Sequence, residues 1–127
     1  MKFRELGNTG ERLSAIGLGC MGLNFAYGDS TDETNSTRLL EKSIELGINF
    51  WDTADMYAQG ANESLISKAL SSNRDKVFIA TKFGFRHKNG GSGPSSDPNT
   101  YIDGSPAYIK EAVEKSLKRL NIDTIDL

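Results

Sequence analysis

Three polar side chains follow apolar stretches that read as buried strands. Asp52 directly follows the run INFW, Tyr57 comes five residues later, and Lys82 directly follows the run VFIAT. An ammonium beside a tyrosine favours the phenolate, so such a tyrosine can transfer a proton near neutral pH. A neighbouring aspartate balances the ammonium. The three residues predict a general acid that protonates a carbonyl oxygen while a bound cofactor supplies hydride.

Each of these residues also has a plainer interpretation that the sequence leaves open. Asp52 fits a turn or a helix cap, and Tyr57 fits ordinary packing. Lys82 can run along apolar surface and place its amine in water. The lysine is the least ordinary of the three, because an unpaired ammonium at the end of a buried strand is costly. We therefore expect Asp52, at the neighbouring strand end, to be its partner.

A glycine-rich segment, residues 17–22 with the sequence GLGCMG, matches the dinucleotide fingerprint G-x-G-x-x-G. That fingerprint requires a helix that opens at its last glycine and a carboxylate about 20 residues further on. Residues 23–28 do not resemble a helix start, and Asp52 lies 30 residues past Gly22. The glycines are better explained by a tight exit from a strand. A Rossmann domain is a competing interpretation, and it predicts a helix beginning near Gly22.

The order of the elements predicts a parallel α/β fold. Residues 1–15 read as a hairpin around the turn GNTG, and strands are expected at 14–19, 48–51, 77–81 and from 122 onward. Helices are expected between them, with caps at Ser30, Asn62 and Ser105 and a terminating glycine at Gly47. In such folds functional groups collect at the carboxyl ends of the strands. Residues 84–104 are predicted to be a long irregular loop.

Composition excludes several classes of protein. The chain has 127 residues, a formal net charge of −2 and 37% hydrophobic residues, which is typical of a globular domain. The charge offers no basic surface for nucleic acid, and no apolar run reaches the roughly 20 residues of a membrane span. The first residues show no secretion signal, and the single cysteine, Cys20, forms no intrachain disulfide. We expect a cytoplasmic protein.

With these motifs placed, the chain resembles the aldo-keto reductase family along nearly its whole length. The resemblance lies in residues 3–10 (FRELGNTG), 17–22, 47–57 (GINFWDTADMY) and 80–84 (ATKFG). It implies an α/β fold of the (β/α)8 TIM-barrel type. Residues 1–127 would then be one incomplete domain, the N-terminal half of the barrel, containing the hairpin, strands 1–4 and helices 1–3.

The resemblance also implies an enzyme that reduces aldehydes or ketones with NADP(H). Tyr57 would be the proton donor, assisted by Lys82 and Asp52, and cofactor contacts would come from Cys20, Met21 and Asp52. No metal is expected. The expected partner is a small carbonyl compound, with no nucleic acid and no membrane. The preference for NADP over NAD rests on the resemblance alone.

One departure from the family concerns a fourth catalytic residue, a histidine beyond the fourth strand. The sequence stops at Leu127, inside that expected strand, and its only histidine, His87, precedes it. We expect His87 to be an ordinary loop residue, with a substrate-side role as the competing interpretation, and residues 85–104 to border the substrate pocket. A missing C-terminal half or a second copy would complete the barrel. The sequence is also compatible with a regulatory or binding protein on the same scaffold and with an inactive truncated fragment.

Overall fold

The computed structural model describes residues 1–24 and 32–127. Its strands and helices, in chain order, are β1 Phe3–Glu5, β2 Arg12–Ser14, β3 Leu18–Gly19, α1 Glu33–Glu45, β4 Phe50–Asp52, α2 Ala61–Leu70, β5 Phe78–Ala80, β6 Phe85–His87, β7 Thr100–Ile102 and α3 Pro106–Leu120. Short 3-10 turns occupy Met21–Leu23, Tyr57–Gly60 and Arg74–Lys76.

The central sheet consists of β3, β4 and β5, all parallel and in that order. Its register aligns Gly19 with Asp52 and Asp52 with Ala80. The carboxyl ends of the three strands therefore meet at one edge of the sheet, as the alternation of strands and helices predicts. The antiparallel pair β1 and β2 confirms the predicted N-terminal hairpin.

The strand predicted from residue 122 onward is wrong as stated, because residues 121–127 are not assigned to a strand. Their last part nevertheless runs beside β5. The amides of Asp126 and Leu127 both donate to the carbonyl of Ile79 at 3.2 Å, and the carbonyl of Leu127 accepts from the Thr81 amide at 3.0 Å. The segment thus takes the place of a fourth strand without the regular pairing of one.

The predicted irregular loop at residues 84–104 contains regular structure. β6 and β7 form an antiparallel pair, with Phe85 opposite Ile102 and His87 opposite Thr100. Arg86 joins this hairpin to α3, because its guanidinium contacts Glu111 at 3.5 Å and lies 4.9 Å from the centre of the Tyr108 ring. Each strand has only three residues, and the surrounding Gly and Pro residues concealed them in the sequence.

Two of the three predicted helix starts are corrected by the structure. α1 is capped by Asp32, whose carboxylate accepts from the Asn35 amide at 2.9 Å, while Ser30 lies outside the described residues. α2 begins one residue before Asn62, so this asparagine is inside the helix and not its cap. Ser105 caps α3 as predicted and accepts from the Tyr108 amide.

Gly47 ends α1 as predicted, with φ of +81°. The Ile48 amide donates to the Ser43 carbonyl at 2.9 Å, and the Gly47 amide donates to the Ile44 carbonyl at 2.8 Å, which is the Schellman pattern. No helix in the described parts of the chain is long and apolar enough to cross a membrane.

The core lies between the sheet and the helices and is centred on Trp51 of β4. Trp51 is fully buried in one cluster with Leu40, Ile66 and Ile79 from α1, α2 and β5. Its indole N–H donates to the Ser43 hydroxyl at 3.0 Å. The hydroxyl donates in turn to the Leu40 carbonyl at 2.7 Å, so the one polar atom of the indole is satisfied inside the core.

Replacing Ser43 with alanine is expected to lower the free energy of unfolding by about 1–3 kcal/mol, because it leaves a buried indole N–H without an acceptor. Urea unfolding followed by the fluorescence of Trp51 measures this change. Ser71→Ala, which removes an exposed hydroxyl at the end of α2, is the control and is expected to have a much smaller effect. Equal stability of Ser43→Ala and wild type would contradict the assignment.

Candidate active site

The strand ends bring Asp52 and Lys82 together. The Lys82 ammonium donates to Asp52 Oδ2 at 2.7 Å and to the carbonyl of Thr53 at 2.7 Å. The parallel pairing continues past both strands, because the Asp55 amide donates to the Lys82 carbonyl at 2.9 Å. The backbone that carries Lys82 is therefore held against the segment that follows β4, and the side chain reaches back across it to Asp52.

Tyr57 lies beside this pair, in the 3-10 turn that follows β4. The Lys82 ammonium is 5.3 Å from the centre of its ring, within the range of a cation–π contact. Tyr57 and Asp52 line a crevice of about 240 Å³, whose other wall is formed by Gly19, Met21 and Gly22. The three predicted catalytic residues are thus neighbours at the carboxyl edge of the sheet, with Asp52 and Tyr57 on the crevice and Lys82 in contact with both.

The expectation of a buried ammonium is not met. The Lys82 and Asp52 side chains are 50% and 45% exposed, since β5 ends at Ala80 and Lys82 extends beyond the sheet. An ion pair exposed to this degree contributes only about 0–1 kcal/mol to stability. A contribution to stability therefore does not explain the pair, and its position beside Tyr57, which lines the crevice together with Asp52, gives a better explanation.

The two other predicted cofactor contacts differ in their accessibility. Met21 lines the crevice, whereas Cys20 is fully buried, with its amide donating to the Asp52 carbonyl at 2.8 Å. Burial, reinforced by the charge of Asp52, raises the pKa of the Cys20 thiol to about 12. The sulfur is thus a neutral core group, and the main chain of Cys20 is engaged as well, because its carbonyl accepts from the Asn62 side-chain amide at 2.9 Å.

The glycines of residues 17–22 have different roles. A Cβ at Gly17 would lie 2.8 Å from the Phe50 ring, so Gly17 permits the close approach of β4. A Cβ at Gly19 would meet nothing within 4 Å, which leaves the crevice side open. The helix that a Rossmann domain requires near Gly22 is represented by one 3-10 turn, Met21–Leu23, and residues 25–31 lie outside the described part.

His87 lies in β6 and is engaged within the hairpin. Its Nε2 is 3.4 Å from Asp97 Oδ2, and its Nδ1 accepts from the Asn89 amide at 3.1 Å. It is not among the residues that line the crevice. The same segment does reach the site region, because the Ser92 hydroxyl donates to the Asp55 carbonyl at 2.8 Å. Among the described residues, no cluster of three His, Cys, Asp or Glu side chains could hold a metal ion.

The most important residue missed by the sequence analysis is Glu63, in the first turn of α2. It is fully buried, and its carboxylate accepts from the Thr81 hydroxyl at 2.7 Å and from Arg119 Nε at 2.6 Å. Asn62, predicted as a cap, is also fully buried and accepts from the Thr53 hydroxyl at 2.7 Å. Neither role has a local signature in the sequence, because the partners Thr53 and Thr81 belong to other elements.

Asp55 was also missed, and it is only 3% exposed, between the strand ends and α3. Its Oδ1 atom has no hydrogen-bond partner among the described residues. Burial, together with repulsion from Glu63, raises its pKa to about 6, and Arg119 opposes this change in part. Asp55 therefore holds a proton in weakly acidic solution, where an ordinary aspartate has lost it.

Comparison with known proteins identifies the family. The model of the aldo/keto reductase family matches residues 15–127, which is most of the chain. The chain belongs to this family. Its relatives include YqkF of Bacillus subtilis, named an oxidoreductase, with 43% identity over the whole chain, and the aldo-keto reductase yakc of Schizosaccharomyces pombe, with 44% identity over 98% of it. The chain spans 38% and 34% of these two proteins.

Solved aldo/keto reductase structures agree with the fold. AKR11C1 of Bacillus halodurans, in its holo form, superposes with a TM-score of 0.82 and 43% identity over 98% of this chain and 38% of its own. The glycerol dehydrogenase AKR11B4 of Gluconobacter oxydans superposes with a TM-score of 0.75 and 29% identity, over 97% of this chain and 37% of its own. These neighbours are (β/α)8 barrels, which confirms the predicted fold class and contradicts the Rossmann interpretation.

The raised pKa of Asp55 predicts a pH-dependent stability. The folded protein keeps this proton up to about pH 6, whereas the unfolded chain loses it near the ordinary pKa of 3.8. The contribution of Asp55 to the free energy of unfolding is therefore complete below about pH 4 and is lost as the pH rises through about 6. From pH 4.5 to pH 7 we expect the free energy of unfolding of the wild type to fall by about 2 kcal/mol relative to that of Asp55→Asn. Urea unfolding at both pH values measures this, and a difference that is constant with pH would contradict it.

Proposed function

We propose that the protein is an oxidoreductase that reduces aldehydes or ketones to alcohols with NADP(H), and that Tyr57 is its proton donor. The observation that carries this proposal is the Lys82 ammonium, which is held by Asp52 at 2.7 Å and lies 5.3 Å from the centre of the Tyr57 ring. Asp52 and Tyr57 both line the crevice. Membership of the aldo/keto reductase family and the oxidoreductase name of the Bacillus subtilis relative support it.

Proton transfer is the part of the reaction that these residues perform. Tyr57 gives its hydroxyl proton to the carbonyl oxygen of the substrate, and the Lys82 cation stabilises the phenolate that remains. Asp52 and the Thr53 carbonyl each accept one hydrogen bond from Lys82, so the cation keeps its place throughout. Fixing the cation before the reaction avoids reorganisation as the charge develops on Tyr57.

The crevice is suited to a flat ring of the nicotinamide type. Gly19 and Gly22 present no side chain to it, and the space at Gly19 is open to at least 4 Å. The cofactor, when bound, supplies the hydride for the carbonyl carbon. The Schizosaccharomyces pombe relative carries NADP(+) in its name, and this supports the choice of NADP(H). Met21 and Asp52, which line the crevice, are the residues of this chain that would contact it, whereas Cys20 would act only by supporting them from the core.

Replacing Tyr57 with phenylalanine in the full-length protein is expected to lower kcat for a simple aldehyde by about 10²–10⁴-fold, because the proton donor is lost. NADPH affinity, measured by fluorescence titration, should stay within about twofold. Ser71→Ala, which removes an exposed hydroxyl at the far end of α2, is the control and should behave as wild type. Unchanged turnover of Tyr57→Phe would refute its role, and a folded wild type without NADPH oxidation would refute the oxidoreductase.

Replacing Lys82 with methionine tests the cation in the same assay. We expect kcat to fall by about 10²-fold or more, since the phenolate loses its neighbouring charge. Lys76→Met is the matched control, because Lys76 is an exposed lysine at the opposite end of β5. If both variants retained wild-type turnover, Lys82 would have no part in the reaction.

A further inference from the structure

We propose that Asn62 and Glu63 are positioning residues, which hold the ends of β3, β4 and β5 in the arrangement that the active site requires. The two residues are neighbours in the first turn of α2. This inference rests on the proposed function. Both side chains are polar and fully buried. Neither lines the crevice, but the partners of both are site residues or are adjacent to them in the chain. Their effect on the reaction would therefore be transmitted through other residues.

Asn62 joins the ends of β3 and β4. Its side-chain amide donates to the carbonyl of Cys20 at 2.9 Å, and its oxygen accepts from the Thr53 hydroxyl at 2.7 Å. Thr53 directly follows Asp52, and its carbonyl is the second acceptor for Lys82. A shift of Asn62 would thus move Thr53, which follows Asp52, and Cys20, whose amide bonds to the Asp52 carbonyl.

Glu63 joins the end of β5 to α3. One carboxylate oxygen accepts from the Thr81 hydroxyl at 2.7 Å, and the other accepts from Arg119 Nε at 2.6 Å. Thr81 directly precedes Lys82. The hydroxyl of Thr81 therefore fixes the backbone from which the catalytic cation extends, and Arg119 balances the charge of the carboxylate.

The turn that carries Tyr57 packs against Arg119, the partner of Glu63. Gly60, at the end of that turn, has φ of +90°, and a Cβ there would lie 2.5 Å from Arg119 Cδ. The Arg119 side chain thus passes directly over Gly60 on its way to Glu63. Each catalytic residue therefore lies on a segment that contacts Asn62, Glu63 or Arg119: Gly60 after Tyr57, Thr53 after Asp52 and Thr81 before Lys82.

Stability alone does not account for the network. Burying a carboxylate and a guanidinium requires their desolvation, and well-packed apolar side chains often stabilise a core as much as a buried ion pair. Directional hydrogen bonds, in contrast, hold the ends of the strands in a single arrangement. A misplacement of about 1 Å at a reacting group can lower turnover by about 10²-fold, so precise placement has a large effect here.

The test removes the two strand-side hydroxyls, because removal of Glu63 would leave the charge of Arg119 without its partner. Thr81→Val and Thr53→Val keep the side-chain shape and lose one hydrogen bond each. In the full-length protein we expect either change to lower kcat about tenfold or more. Thr81→Ser and Thr53→Ser, which restore the hydroxyl, should return kcat to within about twofold. Ser67→Ala, on α2 away from the network, is the control.

A double-mutant cycle separates positioning from general destabilisation. If Thr81 acts through the cation, Thr81→Val should cause no further loss of kcat once Lys82 has been replaced by methionine. The same fold-loss in both backgrounds would overturn the proposal, and so would wild-type kcat in Thr81→Val.

Crystal structures of the variants test the inference independently of turnover. We expect the Lys82 Nζ to Asp52 Oδ2 hydrogen bond to be lost in Thr81→Val and kept in Thr81→Ser. An unchanged bond in Thr81→Val would overturn the positioning role even if the enzyme is active. Absence of turnover in wild type would refute the proposed function, while these structures would still decide the role of the network.

Discussion

Parallel pairing of β3, β4 and β5 places polar backbone and side-chain groups together at one edge of the sheet, and there each of them needs a hydrogen-bond partner. Beyond the last regular ladder bonds, the chain supplies these partners from α2. Asn62 satisfies the Cys20 carbonyl and the Thr53 hydroxyl, and Glu63 satisfies the Thr81 hydroxyl. The arrangement of the crevice follows from how this requirement is met.

The site therefore has two layers with different physical character. The outer layer, Lys82 with Asp52, is half exposed, and water screens its charges. The inner layer is centred on the fully buried Glu63, whose partners Arg119 and Thr81 are partly buried, and hydrogen bonds are stronger in such surroundings than in water. In the proposed mechanism the solvent-accessible cation acts on substrate and tyrosine, while the inner layer keeps its backbone in place. Reactivity and rigidity are in this way assigned to different residues.

The sequence predicted the parts of this molecule that depend on local pattern. Gly47 and Ser105 were identifiable because a helix end has its own chemistry, and Asp52 and Lys82 because they follow apolar strands. The long-range bonds of Asn62 and Glu63 had no such local signature, since their partners lie 42 and 56 residues away in Cys20 and Arg119. The half-exposed state of Lys82 was one of two interpretations that the sequence left open, because it depends on where β5 ends.

The hairpin of β6 and β7 has a consequence for how proteins of this architecture can diverge. Its strands pair with each other and not with the parallel sheet, and one arginine, Arg86, joins it to α3. Residues can be inserted or deleted at its tip without changing the register of β4 and β5. The hairpin, which reaches the segment after β4 through Ser92 and Asp55, can thus vary in length and composition while Asp52 and Lys82 keep their positions.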